Sequence, residues 1–360
     1  MTTPPTAPSA PDHSLIAGSL PRYATPAILV GSLAVVAAVL ALLGAFSIPV
    51  WVILGIVLFA LANYITSRVV EGGRKATDRF VTTVVYCAFG LALIPLVTVL
   101  WTAVANGIER FNPYFLTYTM RGVFGGMDAG GAYHAILGTL MITALATLIS
   151  VPIGLMTAVY LVEYGKGSLA RGITFFVDVM TGIPSIVAGL FAYALFALFF
   201  GPGIRMGIIG AVALSVLMIP VVVRSSEEML KLVPNELREA SYALGVPKWL
   251  TIVNVVIPTA LAGIVTGVTI AIARIIGETA PLLIVCGVVD SLNLNPFDGR
   301  MMTLPVYVFR QYSQGLAPNG VVTINYDRAW AAALTLIIIV MLLNLIARLI
   351  SYFFSPKTGR

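Results

Sequence analysis

The sequence predicts an all-α integral membrane protein of about eight transmembrane helices, and three observations carry that expectation. The 360 residues are 59% hydrophobic and 10% charged, where a soluble domain carries about 25% charged residues. At a mean hydropathy of +0.99, a soluble fold would expose more apolar surface than a monomer tolerates. The apolar residues also fall into long runs, each near the roughly twenty that a helix needs to cross a bilayer.

Taken in order, the runs cover Thr25–Phe46, Ile48–Thr66, Phe80–Ala105, Ala135–Val162, Ile173–Phe200, Gly207–Val223, Ala260–Val288 and Ala329–Phe353. Residues 1–23, rich in Pro, Ser and Thr, read as a disordered tail. They lack the basic start and small-residue cleavage site of a signal peptide. Ser47-Ile48-Pro49 separates the first two runs, which makes residues 24–66 a tight helical hairpin. Residues 67–79 hold Arg68, Arg74, Lys75 and Arg79 and read as a loop. The third and fifth runs are long enough to tilt or protrude. The segments Asn106–His134 and Asp290–Tyr326 suit short interfacial pieces or a docking surface. Residues 355–360 form a second tail. Fourteen Lys and Arg lie on the side of the N-terminal tail and six on the other. The richer side is cytoplasmic, and with an even span count both termini lie there.

Several function classes are excluded. The net charge of +6 is dispersed between apolar runs, without the basic stripe or aromatic interleaving of a nucleic-acid surface. Cys87 and Cys286 sit inside apolar runs and read as small buried hydrophobes. There is no CxxC or Cys/His cluster, and His13 and His134 are isolated, so no metal is expected. Gly165-Lys166-Gly167-Ser168 lacks the spaced first glycine and the Lys-Ser/Thr pair of a phosphate-binding loop, so ATP is not expected on this chain. An intramembrane enzyme would need a metal motif, a Ser/His arrangement or paired carboxylates. A stand-alone ion-coupled transporter would need inverted repeats with matching broken helices.

The polar segment Asn235–Trp249 is too polar for lipid and too regular for a linker. Asn235 suits an N-cap, Glu236 and Glu239 fall in the first turn where the helix dipole favours negative charge, and Gly245 with Pro247 ends the helix. A short helix over Glu236–Leu244 follows, with a second from Pro247 to about Val256. Ala240 and Ala243 are small enough to let another surface approach.

Arg274 and Glu278 lie in the seventh run at i and i+4, and so share a helix face. Charges at membrane depth cost several kcal/mol and face a cavity or a partner. The planar fork of Arg fits a tetrahedral oxyanion at any working pH. Glu278 would hold Arg274 in the absence of an anion and accept the proton of a hydrogen phosphate, and Gly277 and Pro281 would let the helix open locally. Ser185, in the Gly-Ile-Pro-Ser break of the fifth run, offers a hydroxyl. Arg224 stands at the inner end of the sixth run, and Asp178 lies near the same surface.

These residues also carry a resemblance. Glu239-Ala240-Ser241, Gly245, Val255 and Ile257-Pro258 repeat the spacing of the cytoplasmic Glu-Ala-Ala motif of ATP-binding cassette importer permeases, with Ser241, Val255 and Ile257 as substitutions. Thr181–Leu190, Arg224–Leu230 and Ala271–Leu283 are similar to the PstA-type permeases of phosphate-specific (Pst) importers. The resemblance spans about Thr83 to Phe354 and implies a type I importer core over residues 80–354, with a coupling segment at 224–258. The first two spans lie outside the usual six-helix core and have no assigned role. The resemblance implies that Arg274, Glu278, Arg224, Ser185 and Thr279 line the phosphate route. It likewise implies that Glu236, Arg238, Glu239, Ala240, Ser241, Gly245 and Pro258 couple to an ATPase. The implied partners are a second, PstC-like permease, a PstB-like ATPase dimer holding ATP and Mg, and an extracytoplasmic PstS-like phosphate-binding protein, all at a bacterial plasma (inner) membrane. The rival expectations are a permease for another oxyanion, such as sulfate or molybdate, and, behind it, a stand-alone ion-coupled secondary transporter.

Overall fold

The computed structural model describes residues 20–44, 46–124, 126–315 and 324–354. The expected tail over residues 1–23 lies outside them except for its last four residues, and the tail at 355–360 lies wholly outside. The described residues run through α1 (Ala24–Leu42), α2 (Ile48–Val70), α3 (Gly73–Gly107), α4 (Pro113–Thr117) and α5 (Tyr133–Val159), the last extended by a π turn at Tyr160–Tyr164. Next come α6 (Gly167–Thr181), α7 (Ser185–Phe200), α8 (Gly207–Lys231), α9 (Asn235–Ala243) and α10 (Lys248–Thr251). A second π turn at Ile252–Val256 leads into α11 (Ile257–Ile275), followed by α12 (Ala280–Val285), α13 (Leu304–Ser313) and α14 (Ile324–Phe354). Among the described residues seven helices are long and apolar enough to cross a membrane, and up to eight spans result if the bent pair α6–α7 is one of them.

Three expectations are corrected. The loop expected over residues 67–79 is helical apart from the turn at Glu71-Gly72, where Gly72 reverses the chain at φ +89°, a conformation glycine adopts without steric cost. The fifth run is not one helix, because α6 and α7 meet at 110°. Pro184 cannot continue a helical hydrogen-bond ladder and pushes Ile183 out of the helical region. The seventh run ends at Ile275 and resumes at Ala280, because Pro281 has no N–H to offer the Gly277 carbonyl.

Packing divides the chain into two compact units, with the boundary after Leu100 inside α3. In the first unit, α1 and α2 form the expected hairpin. A Cβ at Gly55 would come within 2.5 Å of Leu33 Cδ2, so close packing needs glycine there. Trp51 Nε1–H donates to the Leu33 carbonyl at 2.8 Å. Glu71 closes the unit. Its side chain, 2% exposed, accepts from Arg79 Nε at 2.7 Å and Nη2 at 2.9 Å, from Ser67 Oγ at 2.8 Å and from the Leu20 N–H at 2.7 Å. Arg79 Nη1 reaches Thr25 Oγ1 at 2.9 Å.

The Arg79 hydrogen bond, against the opposing effect of burial, holds the Glu71 carboxyl down at about 2 from an ordinary 4.5. A depressed carboxyl stabilises the fold above its unfolded pKa, and that stabilisation is lost as pH falls through its folded one. Protection of α1 from hydrogen exchange is therefore expected to hold at neutral pH and to decline as pH falls from 4.5 toward 2. Glu71→Gln should show the loss already at pH 7, and equal protection in the variant would refute the clamp.

The second unit is built around α8, which packs against α5, α6, α7, α11 and α12. Its core includes Ile142, Ala146, Ile209, Leu214 and Met218. Small residues let the helices close, as is usual between membrane helices. A Cβ at Gly154 of α5 would come 2.7 Å from Val222 Cγ1, and one at Gly267 of α11 would come 2.5 Å from Ser225 Oγ. Gly189 of α7 lies against the Pro281 backbone, 2.8 Å from its Cα by the same measure.

Candidate functional site

The break between α11 and α12 holds Arg274, Gly277, Glu278 and Thr279. Arg274, in the last turn of α11, is exposed, and among the described residues it forms no ion pair or side-chain hydrogen bond. The expected i, i+4 pair with Glu278 is absent because the helix ends between them. Glu278 is half-buried, its N–H held by the Ile275 carbonyl at 3.1 Å. Thr279 occupies the N-cap position of α12 without a side-chain cap bond. A Cβ at Gly277 would meet nothing within 4 Å, so this stretch borders open space. Ser185 starts α7, one helical turn before the Gly189 that rests on Pro281, and so lies on the face that packs toward α12. Of the five expected pathway residues, Arg274, Glu278 and Thr279 thus lie at the α11–α12 break, and Ser185 lies on α7, which packs against α12.

Arg224 is placed differently. It donates to Asp178 of α6 and, at 2.9 Å, to Glu227, which also pairs with Lys231 at 2.7 Å. The four charges balance. Arg224 ties α6 to α8 and has far less freedom to meet an anion than Arg274.

The segment expected to couple to an ATPase has the expected shape with one correction. Pro234 takes the N-cap position, and Asn235 is the first helical residue. Its Oδ1 accepts from Arg238 Nη1 at 3.3 Å instead of capping an N–H. Gly245 lies at φ +76° and ends α9 as expected. Glu236, Glu239, Ala240 and Pro258 are exposed. Leu237, Tyr242, Leu244 (83% exposed) and Trp249 (61%) surround them with apolar surface.

Arg238 and Ser241 face inward instead. Arg238 Nε and Nη2 donate to Glu163 Oε1 at 3.0 and 2.9 Å, while Nη1 and Nη2 reach the Val233 and Leu230 carbonyls at 2.6 and 3.0 Å. Both side chains are largely buried, 12% exposed for Arg238 and 5% for Glu163. Lys248 Nζ donates to the Glu163 carbonyl and lies 4.8 Å from the Tyr164 ring centroid. Ser241 Oγ and Thr251 Oγ1 are 2.8 Å apart in a buried contact between α9 and α10. So α9 is bonded to the end of α5, to the end of α8 and to the start of the helix leading to Arg274.

Sequence reasoning missed Glu163. It lies 75 residues from Arg238, and its one local signal is a single acid closing a long apolar run.

Residues 150–360 match the family described as binding-protein-dependent transport system inner membrane component. Over 282 residues the chain is 48% identical to the phosphate transport system permease protein PstA 1 of Mycobacterium tuberculosis, covering 78% of this chain and 90% of that protein. It is 46% identical over 281 residues to the PstA of Mycobacterium leprae, covering 77% and 90%. It is 38% identical over 291 residues to the PstA of Pasteurella multocida, covering 79% and 97%.

Proposed function

This chain belongs to the binding-protein-dependent inner membrane components and is a permease subunit of a phosphate importer of the ATP-binding cassette class; from that premise we propose that phosphate passes Arg274 in the α11–α12 break, under the control of an ATPase docked on α9. The observation that carries the pathway is an exposed guanidinium, free of any acid among the described residues, at an interrupted membrane helix. An interrupted backbone at membrane depth is tolerated where it lines a cavity. The fork of Arg274 takes two oxyanion oxygens. The half-buried Glu278 can accept a hydrogen bond from the hydroxyl of hydrogen phosphate, which sulfate lacks. The hydroxyls of Ser185 and Thr279 supply further polar contacts.

The remaining parts follow from the same premise. Both termini and α9 lie on the cytoplasmic side of the plasma membrane, in line with the Lys/Arg bias. A second, PstC-like permease completes the pathway, and an extracytoplasmic PstS-like protein delivers phosphate. A PstB-like ATPase dimer, holding ATP and Mg, receives Glu236, Glu239, Ala240 and the apolar ring of Leu237, Leu244 and Trp249. No cofactor is assigned to this chain. Closure of the ATPases moves α9, and the Glu163–Arg238 and Ser241–Thr251 links carry that motion to α5 and α11.

Reconstitution of the copurified complex tests this reading. Radiolabelled phosphate uptake is expected only with the binding protein outside and ATP and Mg inside, and excess sulfate should not compete. Uptake by this chain alone under an ion gradient would refute it.

A further inference from the structure

A pair of arginines lies at the far end of α8 from α9. The 25 residues of α8 separate the two by roughly 35 Å at 1.5 Å per residue. Here α12 ends, and two extended segments flank it. The Met206 N–H donates to the Val285 carbonyl at 3.2 Å, and the Met301 N–H donates to the Cys286 carbonyl at 3.2 Å. The residue before each methionine is an arginine. Arg205 and Arg300 converge on Gly287: Arg205 Nη1 and Arg300 Cδ both lie 3.4 Å from the point where a Cβ on Gly287 would stand, and Arg205 Cδ lies 2.8 Å from it. Gly287 is also at φ +71°, so both the backbone and the space for the arginines call for glycine.

Neither guanidinium has an acceptor among the described residues, and both side chains are exposed. Asp290, three residues on, is taken by Arg310 at 2.5 Å, and Asp298 enters no ion pair among the described residues. The Val285 and Cys286 carbonyls at the end of α12 already accept from Met206 and Met301, and neither arginine bonds to them. The Arg205 guanidinium and the Arg300 stem therefore border one space over Gly287. An anion held there would meet two cationic side chains without ion-pair partners among the described residues, and arginine forks suit tetrahedral phosphate oxygens.

We propose that Arg205 and Arg300 form a receiving station for a phosphate-class oxyanion at the outer mouth of the pathway, one short helix from the Arg274 break. This rests on the phosphate-import reading above. The oxyanion is either free phosphate released by the binding protein or a lipid headgroup phosphate.

The test uses the full complex in liposomes, with wild type, Arg205→Gln/Arg300→Gln, Arg205→Lys/Arg300→Lys and Gly287→Ala compared for phosphate uptake and for affinity of the phosphate-loaded binding protein. The double Gln variant is expected to lose about tenfold or more in uptake rate, with binding-protein affinity unchanged. The Lys pair should recover part of it, and Gly287→Ala should also slow uptake by displacing Arg205. Wild type and the double Gln variant are then repeated in vesicles of a phosphate-free galactolipid. An unchanged ratio assigns the station to free phosphate, and a ratio that falls to one assigns it to headgroups. Wild-type rates in the double Gln variant, or a defect confined to binding-protein affinity, would overturn the station. Failure of the wild-type complex to import phosphate would instead overturn the underlying reading.

Discussion

Arg274→Ala is expected to lower phosphate uptake by the reconstituted importer about a hundredfold. The estimate follows from the loss of a charge-assisted bidentate contact, worth about 2–5 kcal/mol where a polar partner is left unpaired, at 1.4 kcal/mol per factor of ten. Because Arg274 has no partner among the described residues, truncating it leaves no orphaned carboxylate, so assembly of the complex should be intact by size-exclusion chromatography. Arg274→Lys keeps the charge but loses the planar fork and should fall in between. Normal uptake by both variants would place the anion route elsewhere.

Breaking the Glu163–Arg238 pair is expected to have the second-largest effect, and to act on coupling rather than on the anion. Removing one partner of a buried pair costs about 3–5 kcal/mol, because the other charge remains buried. Arg238→Ala would also free the Leu230 and Val233 carbonyls. The expected result is a complex with a lowered melting temperature that hydrolyses ATP but imports little phosphate per ATP. Glu163→Gln should share the uncoupling with a smaller loss of stability, since the amide oxygen still accepts from Arg238. A double-mutant cycle that found the two sites additive, or normal stoichiometry in Arg238→Ala, would remove the pair from the coupling route.

The apolar runs revealed the spans because burial in lipid imposes length and composition directly on a sequence. Runs such as Gly207–Val223 found their helix and missed only its polar extension to Lys231. The Glu-Ala-Ser spacing and Gly245 located α9 for a different reason, since a left-handed helix stop demands a particular residue. Other features were hidden because they depend on distant partners. Pro184 and Pro281 signalled interruptions, yet a bend of 110° is set by what α6 and α7 pack against. Arg274 and Glu278 looked paired only while the helix was assumed to continue past Ile275. Ser241 carried the spacing of a docking motif and Arg238 stood directly before it, but their side chains turn inward, and nothing near them in the sequence names Glu163 or Thr251 as partners.

The π turn at Ile252–Val256 has a consequence for the azimuth of α11. A π turn carries one residue more than the α turn it replaces, and each residue rotates a helix by about 100°. The compass bearing of Arg274 is therefore fixed at the opposite end of its helix, beside Thr251 and its bond to α9. Relaxing that turn to regular α-helix would swing the arginine by more than a quarter-circle without unfolding a residue of α11. The chain thus holds a rotational detent next to the surface proposed to receive the ATPase, and the direction in which Arg274 points is a property of that surface as much as of its own surroundings.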